Sequence, residues 1–183
     1  MPTITFTELG PDADPDALVE FLVANEFPFH TAQRLTEAEA RERVLDGRYW
    51  SDESIGFWVG ADGERVGIAV IEDVDDIDDG GNPVFDLRLA EAHRRRGLGA
   101  PVLRALTDFV FTRWPVVTRF EGHTREDNLA MRATFRRAGW VKEAFYRDAW
   151  PVEGEPPVAS VAYGMLRRDW EAGTSTPVVW DDL

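Results

Sequence analysis

Arg94-Arg95-Arg96-Gly97-Leu98-Gly99 stands directly before a helix-like run, Ala100 to Arg113. No other segment constrains the chain as much. Glycine lets a backbone approach a ligand closely, and the first N–H groups of a helix find no acceptor within it. The helix dipole and three guanidinium groups make the same corner electropositive. Pro101 suits the first helical turn, where its missing N–H costs nothing, and so places the helix start near Gly99. Together these features predict an anion site that takes a diphosphate, although the same residues also suit an ordinary basic helix start. Two common phosphate motifs do not fit. The Walker pattern needs a lysine after its last glycine, and none follows Gly99. The dinucleotide fingerprint needs a third glycine where Val102 stands.

The surrounding pattern is that of an α/β chain. Ile4 to Glu8 alternates as a strand does, and Leu18, Phe21 and Leu22 recur at helical spacing over Pro15 to Asn25. Thr36-Glu37-Ala38-Glu39 is a capping box that opens a helix to about Asp46, with Gly47 as its stop. Ile55 to Ala61 and Glu64 to Glu72 read as a hairpin on an Asp62-Gly63 turn. An acidic loop over 71–83 leads into a strand, Val84 to Leu89. It fails calcium-loop spacing, because Ile77 fills a ligand slot and no glutamate closes it.

After the helix over 98–113, which should bury Leu98, Val102, Leu106, Phe109 and Val110, come a short strand, Arg119 to His123, and a helix over 128–138 stopped by Gly139. Strands over 140–149 and 158–167 follow, separated by a Pro/Glu/Gly loop over 151–157. A tail over 171–183 is expected to pin itself to the body through Trp180.

At 183 residues this is most simply one domain, 1–183. No apolar run is long enough to span a bilayer and no leader-like start is present, so no membrane role and a cytoplasmic location are expected. There are no cysteines, which removes disulfides, thiolate metal sites and cysteine nucleophiles. His30, His93 and His123 are too scattered to suggest a metal site, so none is expected.

The net charge of −14 is unevenly spread. Residues 1–83 hold 5 basic and 20 acidic side chains, whereas residues 84–150 hold 13 basic and 8 acidic ones. An anionic co-substrate suits the middle segment and a cationic acceptor suits the acidic surroundings, though acidity also serves solubility alone. Nucleic-acid binding needs an extended basic face and is not expected.

The pattern that does fit is Arg/Gln-x-x-Gly-x-Gly/Ala, with Arg94, Gly97 and Gly99 in its slots. It resembles the acetyl-CoA loop of the GNAT superfamily of N-acetyltransferases. Asn128-Leu129-Ala130-Met131-Arg132-Ala133-Thr134-Phe135 through Gly139-Trp140 is similar to that superfamily's Asn-x-x-Ala-x-x-x-Tyr-x-x-x-Gly-Phe helix. Lys142 to Arg147 and Val161 to Trp170 resemble the final strands of its ribosomal-protein (RimJ/RimL-like) branch.

This resemblance implies a mixed, mostly antiparallel, twisted sheet of six to seven strands, split by a V-shaped cleft and flanked by about four helices. It implies acetyl-CoA as co-substrate, held by Leu89, Ala90, Arg94, Arg95, Arg96, Gly97, Leu98, Gly99, Ala100, Asn128 and Phe135. It also implies direct attack by a primary amine within a ternary complex. The acceptor would be a small-molecule or protein amine, and a homodimer is compatible with the pattern.

Amines are protonated at neutral pH, so a base or water chain must take a proton. Glu121 and Asp86 are the candidate bases, with Glu72 third; Asp86 shares a strand face with Arg88 and could simply pair with it. Phe29, His30 and Trp58 are candidate substrate-binding residues, in the company of Phe27 and Trp150, although core packing suits each of the four aromatics better. Asn128 also suits a helix N-cap. Phe135 stands where the family often has a proton-donating tyrosine. That role therefore falls to Tyr163, His123 or water, unless the thiolate leaves unaided. The alternative reading is a non-catalytic acyl-CoA-binding module, and a third is an interaction domain with a vestigial loop.

Overall fold

The computed structural model describes residues 1–13 and 15–180. Among these described residues, seven strands form one sheet in the order β1-β2-β3-β4-β5-β7-β6. They are β1 (Ile4–Glu8), β2 (Ser54–Ala61), β3 (Glu64–Glu72), β4 (Val84–Leu89), β5 (Arg119–Arg125), β6 (Val141–Val152) and β7 (Glu155–Leu166). Five α-helices accompany them: α1 (Pro15–Ala24), α2 (Glu37–Leu45), α3 (Gly99–Arg113), α4 (Leu129–Arg137) and α5 (Arg167–Ala172).

Every neighbouring pair is antiparallel except β4 and β5, which run parallel and meet in register only at Val84 and Glu121. There the Glu121 N–H donates to the Pro83 carbonyl at 3.1 Å. Beyond that pair the ladder stops, and this is the expected V-shaped cleft.

Side-chain alternation gives the sheet two apolar faces. On one, Phe57, Val59, Ala69, Ile71, Phe120 and Val161 pack beneath α3 and α4. On the other, Trp58, Ile68 and Val70 pack beneath α1 and α2. The Asp62-Gly63 turn has both residues left-handed, φ 52° and 85°, as a two-residue hairpin connection demands. α3 turns a broader face inward than expected: Leu103 and Phe111 are buried with Val102, Leu106 and Val110, while Leu98 and Phe109 are only partly covered.

Four expectations need correction. The acidic loop begins at residue 73, because Ile71 and Glu72 still pair within β3. The loop expected over 151–157 is mostly strand: β6 and β7 run on to a tight turn at Glu153-Gly154, with Gly154 at φ +73°. Pro151 is tolerated because β6 is the sheet's edge and its ladder is broken by register shifts at Tyr146/Trp150 and Trp150/Val152. The chain after Leu166 forms α5, so the tail begins at Gly173.

That tail is not pinned by Trp180, which is 59% exposed. Asp169 holds it instead, accepting from the Thr176 N–H at 2.8 Å and the Thr176 hydroxyl at 2.7 Å. Residues 181–183 of the expected tail lie outside the described residues. Among the described residues, no helix is long and apolar enough to cross a membrane.

Candidate active site

α3 opens at the mouth of the parting strands. Its N-cap is Leu98, which has no side chain able to accept from the first turn, and no acidic residue stands there. The donors of that turn are therefore left to an outside acceptor. Gly97 holds φ +80° with nothing within 4 Å of where a Cβ would stand, and Arg95 is also left-handed at φ 57°. The result is an open turn of backbone N–H groups with Arg95 and Arg96 exposed beside it. This arrangement fits a diphosphate.

Several residues expected to hold the co-substrate have other work. A Cβ on Gly99 would stand 2.8 Å from the Thr134 hydroxyl, so this glycine permits the close approach of α3 to α4. The Arg94 guanidinium is turned back into the protein: Nε donates to the Leu89 carbonyl at 2.8 Å and Nη2 to the Glu26 carbonyl at 2.5 Å. Ala90 gives its N–H to the Val66 carbonyl. Arg96 Nη1 lies 3.2 Å from Nδ1 of the buried His93.

Asn128 is the N-cap of α4, accepting from the Met131 N–H at 3.1 Å and donating to the Thr124 hydroxyl at 3.0 Å. Phe135 is completely buried, stacked on Tyr163 at 4.4 Å. It sits under Gly122, where a Cβ would come within 2.8 Å of its ring. Phe135 therefore forms the floor of the cleft and offers no free face. Tyr163, below it, is buried too.

The opposite face carries the ionisable groups. Two residues beyond the Val84–Glu121 pair, Asp86 on β4 and His123 on β5 point to the same side of the sheet. Each belongs to a carboxylate–histidine pair. On one lip, Asp86 lies 2.8 Å from His30 Nε2 and accepts from Arg88 Nε and Nη2 at 2.9 and 2.6 Å. On the other, Glu121 lies 2.5 Å from His123 Nε2 and accepts from Arg119 Nε and Nη2 at 3.1 and 2.6 Å. Arg119 also pairs with Glu143, and the missing side chain of Gly164 makes room for that bridge.

Burial pushes both carboxyls up, but the facing cations and their hydrogen bonds outweigh it. Asp86 is held well below the usual carboxylate range by the Arg88 charge and then by His30. Glu121 is lowered, mainly by its hydrogen bonds from Arg119 and His123. Each carboxylate is thus a weak base with its lone pairs engaged; of the two imidazoles His123 is the more open, whereas His30 keeps Nε2 on Asp86 and buries Nδ1 without a partner. Glu72, the third candidate, is half-buried; burial and then the Asp86 charge raise its pKa.

The loop between α1 and α2 spans both lips. His30 meets Asp86 on β4, while Phe29 lies under the Arg125 guanidinium (5.6 Å) at the end of β5. Arg125 Nη1 also donates to the Pro28 carbonyl at 3.3 Å. Trp58 does not join them. It is buried beneath α1, with Phe21 edge-on at 5.6 Å and the Arg65 guanidinium 3.9 Å over its ring. Phe27 is likewise buried.

A recess of about 320 Å³ lies between this loop (Glu26, Gln33, Arg34) and Glu153 at the β6–β7 turn. A larger one of about 560 Å³, beside Asp46, Asp52 and Asp73, contains Glu72 but none of the lip residues. His123, 36% exposed beside Glu121, is the candidate that the sequence pattern ranks too low. Its signal was the spacing Glu121-x-His123, which places both side chains on one strand face.

A parallel pair that parts beside an uncapped, arginine-flanked helix start defines an acyl-CoA transferase architecture. The chain belongs to the GNAT acetyltransferase family, whose model, described as "Acetyltransferase (GNAT) domain", matches residues 4–141. It is an N-acetyltransferase with acetyl-CoA as co-substrate. No curated protein matches the sequence.

Solved structures share the fold at low identity. The ribosomal L7/L12 α-N-protein acetyltransferase RimL, in complex with coenzyme A, superposes with a TM-score of 0.74 at 18% identity, over 90% of this chain and 94% of that one. The aminoglycoside acetyltransferase AAC(6')-Ib, also with coenzyme A, gives 0.72 at 21%, over 93% and 98%. A spermidine N-acetyltransferase SpeG chimera from Vibrio cholerae and hSSAT gives 0.74 at 15%, over 92% and 98%.

Proposed function

We propose that this chain, acting as one domain, moves the acetyl group of acetyl-CoA to a primary amine of a cationic acceptor, with His123 taking the proton. The observation that carries this reading is the uncapped turn Arg95–Ala100 at the open end of the β4–β5 gap. The backbone N–H groups of that turn, with Arg95 and Arg96, would hold the diphosphate, and the acyl arm would extend between β4 and β5. The amine would enter from the opposite face, beneath Phe29 and His30.

On that face the chain supplies orientation and a proton path. Glu121, itself fixed by Arg119, accepts from Nε2–H of His123 and leaves Nδ1 to receive the ammonium proton. Glu121 then stabilises the imidazolium. The neutral amine, juxtaposed with the thioester, attacks its carbonyl carbon; the C–N bond forms, the C–S bond breaks with its electron pair going to sulfur, and the second proton, on the acylated nitrogen, passes to the departing thiolate or to water. The acceptor's positive charge suits the exposed Glu153 and the excess negative charge left where one guanidinium, Arg119, is shared by Glu121 and Glu143. Ribosomal-protein N-termini, aminoglycosides and spermidine, the acceptors in the names of the structural neighbours, are all cationic amines.

Treating a cell lysate with the protein and isotopically labelled acetyl-CoA identifies the acceptor by mass spectrometry. Label on an amine is the expected outcome; coenzyme A binding without turnover on any amine returns the chain to the non-catalytic alternative. His123→Gln should lower kcat by about 100-fold, the scale of one acid–base group, with coenzyme A affinity unchanged. A loss under about threefold removes His123 from the proton path.

A further inference from the structure

The side chains that join the diphosphate turn to the acceptor wall have no role in the scheme above. Four hydrogen bonds cross between segments more than sixty residues apart in sequence or brace the crossing. The Glu26 N–H donates to Glu91 Oε1 at 2.6 Å, and the Glu91 N–H donates to Asn25 Oδ1 at 2.8 Å. Arg94 Nη2 donates to the Glu26 carbonyl at 2.5 Å, while its Nε holds the Leu89 carbonyl at the end of β4. Phe27, the next wall residue, lies near two guanidinium groups, 5.3 Å from Arg94 and 5.1 Å from Arg88. His30 then meets the Phe27 ring edge-on at 5.6 Å and reaches Asp86. A continuous set of contacts therefore runs from the turn that opens α3 to the histidine on one lip of the gap.

We propose that Asn25, Glu91 and Arg94 are positioning residues that couple the diphosphate turn to the acceptor wall 25–30. Seating coenzyme A on the turn then fixes the wall over the gap before the amine arrives. The inference rests on the proposed diphosphate seat. Its physical basis is that two segments joined by reciprocal, partly charge-assisted hydrogen bonds share their motion. Immobilising one by a ligand therefore lowers the ordering cost of the other. Arg94 is the pivot, because one guanidinium bonds both β4 and the wall. Its place in the glycine motif serves the acceptor side as much as the co-substrate side.

Hydrogen exchange with coenzyme A as the only ligand tests this. The reporting amides are those of Phe27 and His30, whose acceptors, the Gln33 and Phe27 carbonyls, lie within the α1–α2 loop and are untouched by the substitutions. In the unaltered protein, saturating coenzyme A should slow their exchange by about fivefold or more, the effect of one net hydrogen bond. Glu91→Ala should abolish that gain while leaving the calorimetric coenzyme A Kd within about threefold, since Glu91 does not face the diphosphate. Glu91→Gln keeps an oxygen acceptor and should restore the gain, and Asn25→Ala should reproduce the loss.

Full protection in Glu91→Ala, or coenzyme A binding without protection at Phe27 and His30 in the unaltered protein, overturns the coupling and leaves the diphosphate seat intact. Absence of coenzyme A binding by calorimetry overturns the seat itself, and the coupling with it.

Discussion

The starts of α2 and α3 are built in opposite ways. At α2 the Thr36 hydroxyl accepts from the Glu39 N–H at 3.3 Å and the Glu39 carboxylate accepts from the Thr36 N–H at 2.8 Å. That reciprocal pair satisfies two otherwise orphaned donors with the helix's own residues. At α3 the cap is a leucine, no carboxylate stands in the first turn, and left-handed Arg95 and Gly97 shape the approach. The first arrangement closes a helix for stability. The second forgoes that stabilisation and leaves its donors without side-chain partners, and it does so where the sheet itself comes apart. Incomplete local bonding at two adjacent places, a helix start and a strand pair, is what distinguishes the functional end of this fold from the structural one.

Substitutions can break that contrast. The largest effect is expected from Gly97→Val, which forces a β-branched residue into φ +80°. Coenzyme A affinity should fall by about 100-fold, near 2.7 kcal/mol, as read by calorimetry, while the circular dichroism spectrum is preserved. Leu98→Asp gives α3 the kind of cap α2 already has. The new carboxylate competes for the first-turn donors and repels the diphosphate, so Kd should rise about tenfold. The capping gain, about 1 kcal/mol, is offset in denaturant melts by lost burial of Leu98.

Thr36→Ala does the reverse at α2. It should cost about 1 kcal/mol of stability and leave coenzyme A affinity unaltered. The smallest effect is expected from acid. Glu121 has a depressed pKa in the fold, so the stability it contributes is present above its ordinary value and lost as pH falls toward the folded one. The stability difference between the unaltered protein and Glu121→Gln, under about 1 kcal/mol for a partly exposed pair, should hold at pH 7 and shrink only below about pH 4.3.

The readings that held concern residues whose partners are close in sequence. The Thr36–Glu39 box, the Asp62-Gly63 turn, the Gly139 stop (φ +89°) and the start of α3 rest on dihedral and hydrogen-bond preferences within about four residues. Strand alternation likewise put Asp86 and Arg88 on one face. The readings that failed concern where a side chain ends up. Trp58 suits a pocket wall or the core, and α1 puts it in the core, while Trp180 is a plausible anchor until Asp169 takes the tail. Pro151 and the Pro156-Pro157 pair suggest a loop, yet a bulged edge strand absorbs them.

The sequence by itself determined that the α3 corner is an uncapped, glycine-shaped and cation-flanked helix start, because glycine freedom, missing caps and fixed cations are local properties that no distant contact is needed to create. Only the tertiary structure decided what each of those residues does there. Arg94 is spent on Glu26, 68 positions away, and Asp86 is engaged by His30, 56 positions away. Glu121 is engaged by Arg119 and His123, and Gly164 leaves room for the Arg119–Glu143 bridge beside it. A titratable group's role depends on which charges and donors face it, and those are set by chain segments that meet only when the sheet has formed.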